Sequence, residues 1–241
     1  MDESSIDGTQ LRYARLAGFM YLVNYATAIV GTLIPLRIRG PGDFAERAER
    51  IVASEHLYRI ALTTFTISWV IIVILAFSLY VALEPVNKRL AQLALLFEIG
   101  QAVVGGVTVI FSYAVLQLYT VTPRSGAFQD DQLQGLTAVL WSAAGSGFHI
   151  SMTFLSLGST IFFYLFYKSR YVPRPLAAWG MIASVVLLIV SLGALTFPEY
   201  ARTLQYGWGV MGIAEVTTGF WLMIRGIRLQ KAKQRMSGYH Q

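Results

Sequence analysis

The chain has 241 residues, of which 55% are hydrophobic and only 13% are charged, whereas soluble domains carry about 25% charged residues. This composition excludes an ordinary soluble protein and predicts an integral membrane protein with one transmembrane domain. The 19 Lys and Arg outnumber the 13 Asp and Glu, and these basic residues cluster at the ends of apolar segments, which argues against nucleic acid as a partner. The lack of cysteine excludes a disulfide framework, an iron–sulfur site and thiol catalysis.

Six apolar segments are long enough to cross a bilayer, which takes about 20 mostly apolar residues. They are predicted at residues of about 14–35, 60–83, 90–115, 147–167, 175–197 and 206–224. Residues 1–10 are acidic and polar and lack the basic region of a signal peptide, so we expect a disordered cytoplasmic tail there. Residues 11–228 are the predicted transmembrane helical domain, and residues 229–241 are a basic cytoplasmic tail. The predicted fold is all-α, a polytopic membrane helix bundle.

The orientation follows from Lys and Arg, which are enriched in the loops on the cytoplasmic side of a membrane. With both termini inside, twelve Lys and Arg fall on the inner side and seven on the outer side. The seven outer residues are Arg37, Arg39, Arg47, Arg50, Arg59, Arg124 and Arg202. We therefore predict six transmembrane helices with both termini cytoplasmic, in the inner (plasma) membrane of the cell.

The first outer loop carries the pattern of an amphipathic helix. Apolar residues recur at helical spacing from Phe44 to Val52, and the turn signal Pro41-Gly42-Asp43 stands before them. We expect a short amphipathic helix that lies on the outer surface. Glu55 and Arg59 then form an i,i+4 pair at the start of the second span. Arg59 either binds an anionic head group or forms a helix-end salt bridge.

Glu98 lies inside the third span, where an ionised carboxylate costs at least a few kcal/mol. It stands nine residues from Arg89, the basic residue at the inner end of its span. Three more polar residues lie nine or ten residues from the inner basic residue of their own spans: Asn24, Ser184 and Glu215. At about 1.5 Å per residue, these four form one layer about 14 Å inside the cytoplasmic boundary, with Gln101 one turn beyond Glu98.

Two interpretations of this polar layer stay open. In the first, it is a ligand pocket with Glu98 and Glu215 as catalytic acids, because an apolar environment favours the neutral carboxyl group that can donate a proton. Asn24, Gln101 and Ser184 would then contact the ligand. In the second, the layer only joins helices, with Glu98 or Glu215 hydrogen-bonded to Asn24 or Gln101.

Two aromatic residues are further candidates for ligand binding. His149, near the outer end of the fourth span, is either a proton carrier or ligand at an outward opening or a lone interfacial histidine. Trp208, in the sixth span, either lines a lipophilic pocket or packs against neighbouring helices. A second intramembrane histidine is lacking and no cluster has metal-ligand spacing, so no metal and no cofactor is predicted.

Several fragments carry a family resemblance through their order and spacing. They are Tyr13-Ala14-Arg15-Leu16-Ala17-Gly18, Ala53-Ser54-Glu55-His56-Leu57-Tyr58-Arg59, Leu79-Tyr80-Val81-Ala82-Leu83-Glu84-Pro85-Val86-Asn87, Tyr167-Lys168-Ser169-Arg170-Tyr171-Val172-Pro173-Arg174 and Ala214-Glu215-Val216. Together they resemble a bacterial integral-membrane family of unknown function, the domain of unknown function 4386. The resemblance covers nearly the whole chain and implies a membrane protein of six or seven helices. It implies no established activity and no catalytic residue.

Three functions stay open. The first is binding or transformation of a lipophilic small molecule, such as an isoprenoid, in an intramembrane pocket with Glu98 and Glu215; a protonated Glu would be the general acid and aromatic faces would stabilise a carbocation. The second is proton- or cation-coupled transport. The third is a non-catalytic membrane partner or sensor subunit. Whether the protein is an enzyme is left open, the expected partner is membrane lipid, and the oligomeric state is not predicted.

Overall fold

The computed structural model describes residues 3–121 and 128–227, which are helical apart from short connections. Five of the helices are long and apolar enough to cross a membrane: Gly8–Arg39, Glu55–Leu83, Lys88–Thr120, Asp131–Ser169 and Arg174–Thr196. The prediction of an all-α, multi-pass membrane protein is confirmed at this level. The predicted basic tail of residues 229–241 lies outside the described residues.

The helices follow one another with short connections, which position each helix next to its predecessor. They are α1 (Glu3–Arg39), α2 (Phe44–Ala53), α3 (Glu55–Leu83), α4 (Lys88–Thr120), α5 (Asp130–Ser169), α6 (Arg174–Thr196) and α7 (Trp208–Arg225). Short helical turns at residues 198–207 connect α6 to α7. The short helix α2 stands between the first two long ones.

The six long helices form a closed ring. Each of α1, α3, α4, α5 and α6 packs against the next in this order, and α7 packs back against α1. Neighbouring helices run antiparallel: along α1, for example, Asn24 meets Ser68 of α3, whereas Gln10, fourteen residues earlier, meets Ala82. A ring of six helices leaves space on its axis that the side chains of the helices must fill.

Two helices bear on the predicted boundaries. The helix α1 begins at Glu3, and Gln10 of this helix is buried with its Nε2 3.5 Å from the Ala82 carbonyl oxygen. The cytoplasmic tail of residues 1–10 stays a prediction. The helix α7, at the sixth predicted span, is not among the five that are apolar enough to cross. Its 18 residues extend about 27 Å and include Glu215 and Arg225, which lower its hydropathy. A sixth crossing and the sidedness of both termini stay predictions.

One end of the bundle extends beyond the ring. The helices α4 and α5 have 33 and 40 residues, so they are about 50 Å and 60 Å long against a hydrocarbon core of about 30 Å. At this end they carry a second apolar cluster, into which α2 inserts Phe44 and Ile51. Phe44 stacks on Tyr119 of α4 with ring centroids 4.9 Å apart. We call this part of the molecule the α2 end.

The connection from α1 to α2 is built by its own residues. Gly40 and Gly42 have positive φ values of 55° and 123°, which other residues rarely adopt. The Asp43 side chain then caps α2 by accepting a hydrogen bond of 2.9 Å from the Glu46 amide. The Arg50 guanidinium reaches back to donate to the carbonyl oxygen of Arg39, at 2.8 Å, at the end of α1. A helix thus occupies Phe44–Ala53, while its position at an outer membrane surface stays a prediction.

The opposite end holds the connection from α3 to α4. Asn87 caps α4 through a hydrogen bond of 3.1 Å from the Leu90 amide to its side-chain oxygen. Lys88 donates to Glu84 over 2.7 Å, and this hydrogen bond lowers the pKa of the Glu84 carboxyl group. The pair is largely exposed, so solvent screens its attraction and it adds little to the stability of the turn.

Candidate functional site

The ring contains a partly open cavity of about 200 Å³. All six long helices contribute to its wall, and most of the contributing side chains are apolar or aromatic. The residues that line it are Tyr21, Asn24, Tyr25, Ala28, Phe65, Ser68, Trp69, Ile72, Leu75, Ala76, Leu79, Glu98, Gln101, Phe148, Met152, Leu155, Leu187, Trp208, Met211 and Glu215. We call this space the central cavity.

Two carboxyl groups line the central cavity from different helices. Glu215 of α7 is 6% exposed, and its Oε2 accepts a hydrogen bond of 2.6 Å from the Tyr25 hydroxyl of α1. Glu98 of α4 is 5% exposed, and its Oε1 accepts a hydrogen bond of 3.3 Å from the Ser159 hydroxyl of α5. Each carboxyl group is therefore held by one hydroxyl from a neighbouring helix, and not by Asn24 or Gln101 as the helix-joining interpretation predicted.

Two amide side chains complete the polar part of the wall. Asn24 accepts a hydrogen bond of 2.7 Å from the Ser68 hydroxyl, which joins α1 to α3 beside the cavity. Gln101 is 3% exposed, and its Oε1 is buried without a hydrogen-bond partner among the described residues. Its backbone carbonyl accepts 2.9 Å from the Ser151 hydroxyl, which fixes α4 against α5 at this height. Gln101 thus brings an unused acceptor to the cavity wall.

An aromatic cluster forms another part of the wall. Trp208 lies 5.0 Å from Phe148, and Trp69 lies 6.5 Å from Phe148 and 5.5 Å from Phe65, measured between ring centroids. Gly105 of α4 makes room for the Trp69 ring, because a Cβ atom there would overlap the indole. These rings give the cavity faces that suit a flat apolar group or a cation.

The structure brings five of the eight predicted site residues to the central cavity, namely Asn24, Glu98, Gln101, Trp208 and Glu215. It places the other three outside the lining. Ser184 is fully buried, but its hydroxyl donates to the Gly180 carbonyl oxygen over 2.8 Å and also lies 3.7 Å from the sulfur of Met211. It reaches the cavity only through Met211.

His149 and Arg59 also lie apart from the lining. His149 packs behind the wall, with its ring centroid 5.5 Å from that of Trp208, and its Nδ1 is buried without a partner in the described part of the chain. Arg59 lies toward the α2 end and pairs with Glu55 over 2.7 Å. This is the geometry of the helix-end salt bridge, one of the two alternatives for Arg59.

The prediction missed the hydroxyl groups that hold the carboxyl groups. Tyr25 and Tyr21 line the cavity, although tyrosine in membrane proteins is typical of the interfaces. Tyr25 stands ten residues after Arg15, so the same count that located Asn24 places it at the depth of Glu215. A tyrosine at that depth is the signal that would have found it.

The charges of the cavity are unbalanced when its acids are ionised. Within the described ranges the lining holds two carboxyl groups and no Lys, Arg or His. Two carboxylates would repel each other through a medium of low dielectric constant, and each would lack a counter-ion. The described residues hold no group of three His, Cys, Asp or Glu that could bind a metal ion. Neutralisation therefore requires protons or a positively charged ligand.

One comparison with known proteins found a family. A family model described as "Domain of unknown function (DUF4386)" matches residues 16–226, a range that contains every residue of the cavity wall. No curated protein and no solved structure matches the chain. The description of the family names no ligand and no reaction.

Proposed function

The chain belongs to the family of the domain of unknown function DUF4386, and we propose from its geometry that it binds a small lipophilic molecule inside the helix ring. The observation that carries this proposal is a mostly apolar cavity whose wall includes both Glu98 and Glu215. A bundle whose polar groups only joined helices would close over them. Here the two carboxyl groups border about 200 Å³ of space.

The volume sets the size of the ligand. An apolar cavity of about 150 Å³ in another protein holds benzene, so about 200 Å³ accommodates about eight non-hydrogen atoms. An isoprenoid of three units is larger than this cavity. The apolar wall provides most of the binding free energy, at roughly 25 cal/mol for each Å² of apolar surface removed from water. The few polar groups set the orientation of the ligand.

The same residues support a chemical step on a ligand that contains a carbon–carbon double bond. A protonated Glu98 or Glu215 donates its proton to one carbon, the π electron pair forms the new C–H bond, and a carbocation and a carboxylate result. Trp69 and Trp208 line the same cavity, and their ring faces would stabilise the cation. Return of a proton to the carboxylate completes the rearrangement. Transport and a role as a partner subunit stay untested predictions.

Binding is tested with ethylbenzene, which has eight carbon atoms, and protein in lipid nanodiscs. Ala28 of α1 lines the cavity and Ala26 on the same helix is exposed, so Ala28→Phe fills the cavity while Ala26→Phe makes the same change on the outer face. Ethylbenzene retained above protein-free nanodiscs is measured by gas chromatography. We expect retention by wild type and Ala26→Phe, and a loss in Ala28→Phe and in a second filling variant, Ala76→Phe.

The outcome that overturns this proposal is equal retention by wild type, both filling variants and protein-free nanodiscs. Circular dichroism and the thermal midpoint show whether each variant keeps the fold. Two filling variants at different helices are used because a single one could fail to fold for reasons of its own.

A further inference from the structure

Several hydrogen-bond acceptors in the wall of the central cavity could accept more hydrogen bonds than the described residues donate to them. In the hydrogen bonds that the structure describes, Glu98 uses only Oε1 and Glu215 uses only Oε2. The Gln101 Oε1 atom is buried and accepts from no described residue. Buried acceptors of this kind are rarely left without donors, because each unmet group loses its hydrogen bonds to water. Gln101 therefore calls for a donor that the described residues do not give it, and Glu98 and Glu215 have acceptor capacity left in the same wall.

The donor can also balance the negative charge of a carboxyl group that is ionised. The described lining has no basic side chain to balance Glu98 and Glu215. A donor with one positive charge balances one ionised carboxyl group, while the other carboxyl group is protonated, and it also donates hydrogen bonds. A neutral hydroxyl only donates a hydrogen bond. A Ca²⁺ or Mg²⁺ ion fits less well, because such ions take six or more oxygen ligands and most of this wall is apolar.

The aromatic cluster offers a second kind of contact to the same cation. Faces of Trp and Phe attract ammonium groups within about 6 Å of the ring centroid, and the attraction is strongest where water is excluded. In the wall, the Phe148 ring centroid lies 6.5 Å from that of Trp69 and 5.0 Å from that of Trp208. They also give the apolar body of a ligand a surface to stack on.

We propose that the ligand of the central cavity is a small lipophilic amine bound as its ammonium ion, with the ammonium group toward Glu98, Glu215 and Gln101 and the apolar body against the aromatic rings. The inference rests on the proposed function, since it names the class of molecule that the cavity binds. A primary ammonium group has three N–H donors, which matches the three side chains with unused acceptor capacity. The volume restricts the amine to about eight non-hydrogen atoms.

The test compares three molecules of eight non-hydrogen atoms: benzylamine, benzyl alcohol and ethylbenzene. Benzylamine is an ammonium ion at neutral pH, benzyl alcohol is a neutral donor, and ethylbenzene has no donor. Dissociation constants are measured by equilibrium dialysis of each labelled compound against protein in nanodiscs, with protein-free nanodiscs subtracted. We expect the dissociation constant of benzylamine to be at least about tenfold lower than that of either neutral molecule.

Isosteric variants locate the effect. Glu98→Gln and Glu215→Gln keep the shape of the side chain and remove its charge, and the double variant is expected to abolish the preference for benzylamine while ethylbenzene binding stays within about twofold. Glu49→Gln makes the same change at an exposed position of α2 and should leave all three constants unchanged. Gln101→Met removes the amide acceptor and should weaken benzylamine alone.

The possible results distinguish the amine proposal from the broader proposal that the cavity binds a lipophilic molecule. A benzylamine preference that disappears in the double variant supports the amine. Equal binding of all three molecules to wild type overturns the amine and leaves a cavity for lipophilic molecules. A benzylamine preference that survives in the double variant also overturns it, because the cation would then bind elsewhere. Binding of none of them overturns the proposed function and this inference together.

Discussion

Gly158 of α5 gives the Glu98 carboxyl group its place. A Cβ atom on Gly158 would lie 2.7 Å from Glu98 Oε1 and 3.1 Å from its carboxyl carbon, so a larger residue must displace the carboxyl group. Gly145, on the same helix, has nothing within 4 Å of the corresponding position. The two glycines therefore form a matched pair, one beside the acid and one in open space.

We predict that Gly158→Ala weakens benzylamine binding by about tenfold while the free energy of unfolding changes by less than about 1 kcal/mol. The stability effect is small because the displaced atoms are the end of a flexible side chain, and alanine is better than glycine in a helix by roughly 0.5–1 kcal/mol. The dissociation constant and the unfolding midpoint are measured for both variants. Gly145→Ala should leave the dissociation constant unchanged, and a tenfold loss there would contradict the assignment of Gly158.

Tyr25, which donates a hydrogen bond to Glu215, is the second residue whose substitution has a defined expected effect on stability. Tyr25→Phe removes the hydroxyl 2.6 Å from a buried carboxyl group, so we expect a destabilisation of about 1–3 kcal/mol. The free energy of unfolding is measured by denaturant titration in detergent micelles. Tyr164→Phe, on the exposed side of α5, should change stability by less than about 0.5 kcal/mol. In the Glu215→Gln background, an undiminished cost of Tyr25→Phe would show that the two residues are not coupled.

Counting residues from the basic residue at a helix end predicts how deep in the bundle a polar group lies. It does not predict which side of the helix the group occupies. Asn24, Glu98 and Glu215 were found in this way and line one cavity. Ser184 has the same predicted depth, yet its hydroxyl donates to Gly180 on its own helix instead of entering the cavity. A serine satisfies its donor locally in a helix, whereas a carboxyl group cannot, so depth was informative for acids and not for serine.

The helix α2 shows what sequence periodicity can and cannot predict at the level of one element. Its start at Asp43 and its apolar face were readable because capping and helical spacing are local properties. The residues that cover this face could not be predicted from the periodicity of α2. Phe44 stacks on Tyr119, and Ile51 joins the same cluster, because α4 and α5 extend far enough to receive them.

We predict that Asp43→Ala loosens α2 without disturbing the ring. Loss of an N-cap costs about 0.5–2 kcal/mol, and the cost falls on the helix that loses its cap. Hydrogen–deuterium exchange measured by mass spectrometry should become faster in a peptide covering Phe44–Ala53 and stay unchanged in α3. Glu49→Ala, an exposed change within the same helix, is the control. Faster exchange throughout the molecule would mean that α2 is not a separately stabilised element.

Close contact between α1 and α7 closes the ring at Gly18. A Cβ atom on Gly18 would lie 2.6 Å from the Gly219 carbonyl oxygen and 2.9 Å from the Leu222 carbonyl carbon, both backbone atoms of α7. Backbone cannot rotate away as a side chain can, so the two helices must separate. We predict that Gly18→Ala destabilises the protein by about 1–3 kcal/mol in denaturant titration. Gly209→Ala on α7, with nothing within 4 Å, should not destabilise it.

Only part of the helix arrangement could be predicted from the sequence. Short connections predict that successive helices are antiparallel neighbours, which accounts for the order from α3 to α6. Closure between α7 and α1 depends on the packing of Gly18 against Gly219, and the size of the cavity depends on rotamers of residues such as Trp69. Such contacts join positions far apart in the chain, and residue spacing does not report them.

At this scale the crossing of the membrane by α7 is a prediction, since α7, unlike the other five long helices, is not among those long and apolar enough to cross. Its place in the ring between α6 and α1 favours a crossing, because a helix outside the bilayer could not line the same cavity as they do. The chain contains no cysteine, so single cysteines can be introduced and labelled without background. Thr203, exposed just before α7, and Ser237, in the predicted inner tail, bracket the helix.

We predict that a membrane-impermeant maleimide added to intact cells labels Thr203→Cys and Glu49→Cys, and labels Lys168→Cys and Ser237→Cys only after the cells are permeabilised. This pattern follows from the excess of Lys and Arg on the inner side, with α7 as a sixth crossing. Protection of Lys168→Cys and access at Ser237→Cys would leave α7 outside the membrane with an outer C-terminus. Labelling of Lys168→Cys in intact cells, with Glu49→Cys protected, would reverse the orientation of the whole bundle.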